Sequence, residues 1–131
     1  MLFRRKEIPW EVVDSRSVDP VCMYYDDDSE DLEIVAIRDT SITRTYLLDV
    51  KHDAWKSAHQ AVIFAREQLL QEAKKNGYNI LWLESWRVTL LRKVRSYRVE
   101  VQYRARPARA LNKVPDRHPP FMALLQTAYE C

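Results

Sequence analysis

The sequence predicts an α+β domain: an antiparallel sheet of four or more strands with one long helix packed on one face. Three observations predict it. Residues 53–76 carry apolar side chains at helical spacing and end at Gly77. Residues 80–91 and 97–105 each alternate apolar with polar, and the two alternations agree when the segments are folded into a hairpin. Residues 32–38 and 42–50 are rich in Ile, Val, Thr and Tyr, with Asp39, Thr40 and Ser41 as turn residues between them. The order strand, strand, helix, strand, strand places the helix over one face of an antiparallel sheet.

From the N-terminus, residues 1–31 read as an irregular segment. Within it, residues 7–13 form a candidate extra strand that Pro9 confines to a sheet edge. Residues 26–31 are a run of acids and one serine. They lack the glycine and terminal glutamate of a calcium loop, so a solvated loop is expected. Residues 32–105 form the core. In the helix, Asp53 is the N-cap, and Trp55, Ala58, Val62, Ala65, Leu69 and Ala73 form the stripe that faces the sheet. Small alanines on that stripe leave room for something bulky opposite. Ile63 and Leu70 lie off it, beside His59 and Arg66, and such a second apolar edge suggests contact with another subunit.

A hairpin loop centred between Val94 and Arg95 pairs Leu90 with Val99, Val88 with Val101, and Trp86 with Tyr103. The opposite face then sets Ser85, Arg87, Thr89 and Leu91 against Arg104, Gln102, Glu100 and Arg98. The loop has no glycine or asparagine, so its type stays open. Residues 106–131 read as a Pro- and Arg-rich tail. Residues 107–120 connect, and 121–129 form a short helix whose apolar side chains need cover. One domain over residues 1–131 is expected, since a chain of this length can bury a core.

Composition removes several function classes. The chain has one glycine, Gly77, where average usage gives roughly nine. Phosphate-cradling loops, dinucleotide fingerprints and nucleophile elbows need clustered glycines, and none can be built here. Cys22 and Cys131 make neither a disulfide framework nor a zinc signature, and His52, His59 and His118 form no metal-ligand spacing. No metal ligand and no cofactor are therefore assigned. The apolar runs are too short to span a bilayer, and the basic start lacks the apolar core of a signal peptide. A cytoplasmic protein is the expectation.

The pattern Ala65-x-x-x-Leu69-x-x-x-Ala73-Lys74-x-x-Gly77-Tyr78-Asn79, feeding a two-stranded hairpin, resembles the bacterial YbjQ-type family over residues 32–105. Members of that family are labelled heavy-metal-binding domains. The resemblance implies a small α+β subunit that assembles into a ring. Glycine-poor strands, a charged hairpin and the extra termini depart from it, and no Cys or His cluster is present to inherit a metal role.

Glu84 stands out on chemistry. It lies in an apolar strand between Trp82 and Trp86, and simple alternation puts all three on one face with Ile80, Val88 and Leu90. A carboxylate in that setting must find a cation, stay protonated or face a cavity. The ion-pair expectation names Arg104, Arg106 or an arginine of another subunit as the partner. The binding expectation is a small apolar or aromatic ligand held between helix and sheet by Trp82, Trp86, Tyr46, Arg104 and Arg106. The catalytic expectation is a cofactor-independent isomerase, cyclase or lyase. There Glu84 is the general acid or base, with Tyr103 and His59 in support.

Charge is polarised along the chain. Residues 87–117 carry a net charge of +8 and residues 1–60 a net charge of −5, against +2 overall. A basic strand pair with aromatics could bind single-stranded nucleic acid. The hairpin register counts against it, because Tyr97 and Tyr103 fall on the face opposite Arg98 and Arg104. Complementary halves favour association of copies instead, so a homo-oligomer is expected.

Overall fold

The structure is a computed structural model that describes residues 8–24, 32–50, 54–111 and 117–122. It contains an antiparallel five-stranded sheet and one helix packed on it, the predicted α+β architecture. The elements are β1 (Glu11–Cys22), β2 (Ile34–Ile37), β3 (Ile42–Val50), α1 (Ala54–Lys75), β4 (Ile80–Lys93) and β5 (Ser96–Ala110). β1 pairs with β4 and β4 with β5. β2 and β3 both lie along the other side of β5, β3 beside residues 97–105 and β2 beside residues 108–110.

The hairpin has the predicted register, with Leu90 opposite Val99, Val88 opposite Val101 and Trp86 opposite Tyr103. Its loop is Val94-Arg95, and Val94 alone of the two has positive φ, at 58°. That is the type II′ pattern, in which the first loop position is normally glycine. β4 and β5 form long strands because both read as one buried and one polar row, which specifies a single register.

α1 ends as its sequence predicts. Gly77 takes φ 90°, its N–H donates to the carbonyl of Lys74, and the N–H of Tyr78 donates to the carbonyl of Ala73. These are the two bonds of a Schellman cap. Ala58, Ala61, Val62, Ala65, Leu69 and Ala73 are buried against the sheet. Just past the cap, the Asn79 side chain both accepts from the Ala110 N–H and donates to its carbonyl, pinning the far end of β5.

Three expectations need correction. Residues 11–22 are not irregular, because β1 is a twelve-residue strand at the sheet edge rather than a short strand over residues 7–13. Its alternation is hidden in sequence because most of its side chains are solvated, as suits an edge. β5 continues past Ala105 to Ala110, through Pro107, into the stretch assigned to the tail. Pro107 sits opposite Leu81, beside the register shift between Leu81 and Leu83, where a missing N–H is tolerated. That shift also breaks the assumed alternation in β4. Leu81 joins the main core with Trp86 and Val88, while Ile80 and Trp82 join a second cluster with Tyr24, Ala108 and Ala110. Residues 26–31, the N-cap position Asp53 and residues 123–129 of the expected terminal helix lie outside the described residues.

Candidate functional site

Glu84 has no solvent exposure, although it is the sole acid among the buried residues described. Its partner comes from the helix. Arg66 Nε donates to Glu84 Oε1 at 2.6 Å and Arg66 Nη2 donates to Oε2 at 3.2 Å. The Tyr103 hydroxyl donates to Oε1 at 2.6 Å. Arg66 is 7% exposed and Tyr103 not at all. One guanidinium fork and one phenol thus occupy both carboxylate oxygens in a buried layer between α1 and the β4–β5 hairpin.

Each side chain arrives there for a local reason. Glu84 and Tyr103 belong to the helix-facing rows of β4 and β5, as diagonal neighbours two residues apart in the register. Arg66 follows Ala65 on the buried stripe, and the alanines around it keep the helix close enough for the guanidinium to fit below. Bulk was expected opposite the alanines, and Trp86 of β4 and Tyr103 of β5 share the core cluster with them.

The electrostatics follow from burial and proximity. Burial pushes the Glu84 carboxyl above its ordinary value, while Arg66 and the bonds from Arg66 and Tyr103 pull it back. Burial works against the Arg66 charge too, but the charge and hydrogen bonds of Glu84 outweigh it and hold the guanidinium above its ordinary value. Arg66 cannot shed its proton, so an ionised Glu84 is what compensates it. Burial, then the neighbouring Glu84 charge, raise the Tyr103 phenol far above the usual tyrosine range. Tyr24 is also raised by burial, with Arg66 opposing through its charge.

The other predicted site residues are not gathered here. Trp86 is buried beside the site, and its indole N–H donates to the carbonyl of Pro120 at 3.0 Å. Through this bond and Met122, which packs on the core, residues 117–122 close one end of the helix–sheet layer. Trp82 is displaced by the β4 register shift and stacks on Tyr24 at 6.3 Å between ring centres. Tyr46 lies on β3 and meets Phe64 of α1 edge-on at 5.8 Å. His59 is half-buried on α1, two helical turns before Arg66. No hydrogen bond or ion pair joins it to Glu84 among the described residues. Arg104 is exposed and Arg106 half-buried, both alternating onto the sheet face away from the helix. Neither is the partner of Glu84, because a β-strand cannot turn consecutive odd and even positions to one face.

Arg66 is the residue sequence reasoning missed. Its signal was position: a charged residue directly after Ala65 and three before Leu69 lies at the border of the apolar stripe. Among the described residues no group of three His, Cys, Asp or Glu is placed to hold a metal ion, and no helix is long and apolar enough to cross a membrane. Comparison with known proteins returns no match to a family model, a curated protein or a solved structure.

What this arrangement can do chemically is limited. A general acid must reach its substrate, and the oxygens of Glu84 are sealed and already bonded. The triad ties the helix to the hairpin with fixed geometry.

Proposed function

We propose that this chain is a non-catalytic binding and assembly module that works as a homo-oligomer. The observation that carries the non-catalytic half is the closure of Glu84: zero exposure, with both oxygens held by Arg66 and Tyr103. In this role the triad locks α1 to the sheet so that the outer surfaces keep their shape.

The assembly half rests on the β3 edge. β1, at the other edge, carries Pro20 and two register shifts, devices that discourage strand addition. β3 has neither proline, lysine nor bulge and pairs with β5 in unbroken register over its whole length. Among the described residues no strand pairs with its outer side. Apolar groups flank that edge on both faces: Leu47 is exposed on one, and Ile63 and Phe64 of α1 on the other, with Phe64 against Tyr46.

A second copy suits this edge because β3 is self-complementary when antiparallel. A two-fold axis at Leu47 sets Tyr46 opposite Leu48 of the partner subunit and brings the two copies of Leu47 together. The YbjQ-type layout implied assembly as well.

Sedimentation equilibrium tests the proposal. A dimer or a multiple of it is expected at micromolar concentration, converted to a folded monomer by Leu47→Lys with Phe64→Glu. A wild-type monomer, or a variant that assembles unchanged, would overturn it.

A further inference from the structure

The sheet face away from the helix holds a second feature, centred on β1, β4 and β5. The register of β1 on β4 shifts between Val18 and Val21, and Asp19 and Pro20 form the bulge. Bulges re-aim side chains and interrupt pairing. Beside this one lies a depression of about 250 Å³, lined by Ser17, Asp19, Thr43, Ser85, Arg87 and Arg104 among others.

The lining is arranged by register. Arg104 lies between Thr43 of β3 and Ser85 of β4, and Arg87 lies beside Ser17 of β1. Arg87 and Arg104 are diagonal neighbours across the hairpin, close enough for both guanidinium groups to reach one ligand group. Other arginines of the structure are ion-paired. Arg44 meets Glu72, Arg66 meets Glu84, Arg92 meets Glu11 and Arg98 meets Asp49. Arg87 and Arg104 make no ion pair or hydrogen bond among the described residues, and Asp19 in the same depression makes none either.

The geometry points to a binding site for a phosphate group carried on a small hydroxyl-bearing molecule, a sugar phosphate in chemical class. Two guanidinium groups match the charge of a phosphate dianion, and their forks bind its oxygens in pairs. The hydroxyls of Thr43, Ser85 and Ser17 add donors from three sides. Asp19 is a poor neighbour for a bare anion but accepts a hydrogen bond from a sugar hydroxyl. That requirement separates a sugar phosphate from inorganic phosphate. It also separates it from a nucleic-acid backbone, whose successive phosphates would meet the Asp19 charge.

Amide chemical-shift titration of the full chain with ribose 5-phosphate, inorganic phosphate and an oligothymidylate tests the site. Ribose 5-phosphate is expected to give saturable shifts at residues 85–87 and 102–104. Affinity should fall about tenfold or more for Arg87→Ala and for Arg104→Ala, the loss of a charge-assisted hydrogen bond. Asp19→Asn should weaken ribose 5-phosphate and leave or strengthen inorganic phosphate. No saturable shift at those residues up to about 10 mM, a limit of very weak binding, would overturn the site. So would saturation by the oligothymidylate alone, or affinities unmoved by both arginine variants.

Discussion

Replacing Glu84 with Gln removes the carboxylate charge but keeps the shape, so the cost isolates the ion pair. The Gln side chain can still accept from Arg66 and Tyr103, yet the guanidinium, 7% exposed, loses its only buried counter-charge among the described residues. Breaking a buried pair from one side costs about 3–5 kcal/mol, because the surviving charge stays desolvated. For a chain of 131 residues that lowers the melting temperature by about 11–18 °C. Arg66→Met should cost less, since Glu84 can take up a proton and Arg66 cannot give one away. The sign in that variant is fixed. A folded carboxyl above its ordinary value holds more protons than the unfolded one, so its contribution is present at acidic pH and lost as pH rises through the folded value. Glu84→Leu with Arg66→Met removes both charges and should return within about 2 kcal/mol of wild type. Urea denaturation of wild type, Glu84→Leu, Arg66→Met and the double variant closes the cycle that gives the coupling energy, with Glu84→Gln measured beside them. A loss below about 1 kcal/mol for Glu84→Gln, the range of an exposed pair, would refute a sealed site.

Tyr103→Phe deletes one donor to Glu84 Oε1 and should cost about 1.5–3 kcal/mol by denaturant midpoint, as for a bond to a charged group. Stability should also fall above about pH 10, since an unfolded tyrosine ionises there and folded Tyr103 does not. The native state then holds the extra proton, the slope is negative, and Tyr103 accounts for about 1.4 kcal/mol per pH unit. Thermal melts between pH 9 and pH 11 (about the ordinary tyrosine value) check it, and Tyr103→Phe should flatten the curve. Val94→Gly should raise the melting point, because a β-branched residue at φ 58° carries about 1–2 kcal/mol of strain that glycine lacks. An unchanged or lower melting point would mean that the loop relaxes without cost.

The hairpin was legible because two long strands carry two independent alternations, and one register alone satisfies both. α1 was legible from its stripe and from Gly77. β1 was not, because an edge strand exposes most of its side chains. Of its residues only Val18 is fully in the core, so Asp14, Arg16 and Asp19 read as loop. Trp82 was misplaced by a one-residue register shift that no glycine marks, and a period of two cannot survive such a shift.

For Glu84, burial and the need for a cation were legible from its apolar surroundings. The identity of the cation was not. It depends on the rotation of α1 about its axis, and the neighbouring Arg104 and Arg106 drew attention to the wrong face.

Arginine side-chain NMR tests the central claim most directly. With Arg66 Nε bonded to Glu84 at 2.6 Å in a buried layer, its Nε–H is expected as a resolved, slowly exchanging resonance at neutral pH. In Glu84→Gln that resonance should shift and its exchange accelerate, while the amide spectrum still reports a folded sheet. An Arg66 Nε–H that exchanges in the wild-type protein as fast as those of exposed Arg87 and Arg104 would contradict a sealed Glu84.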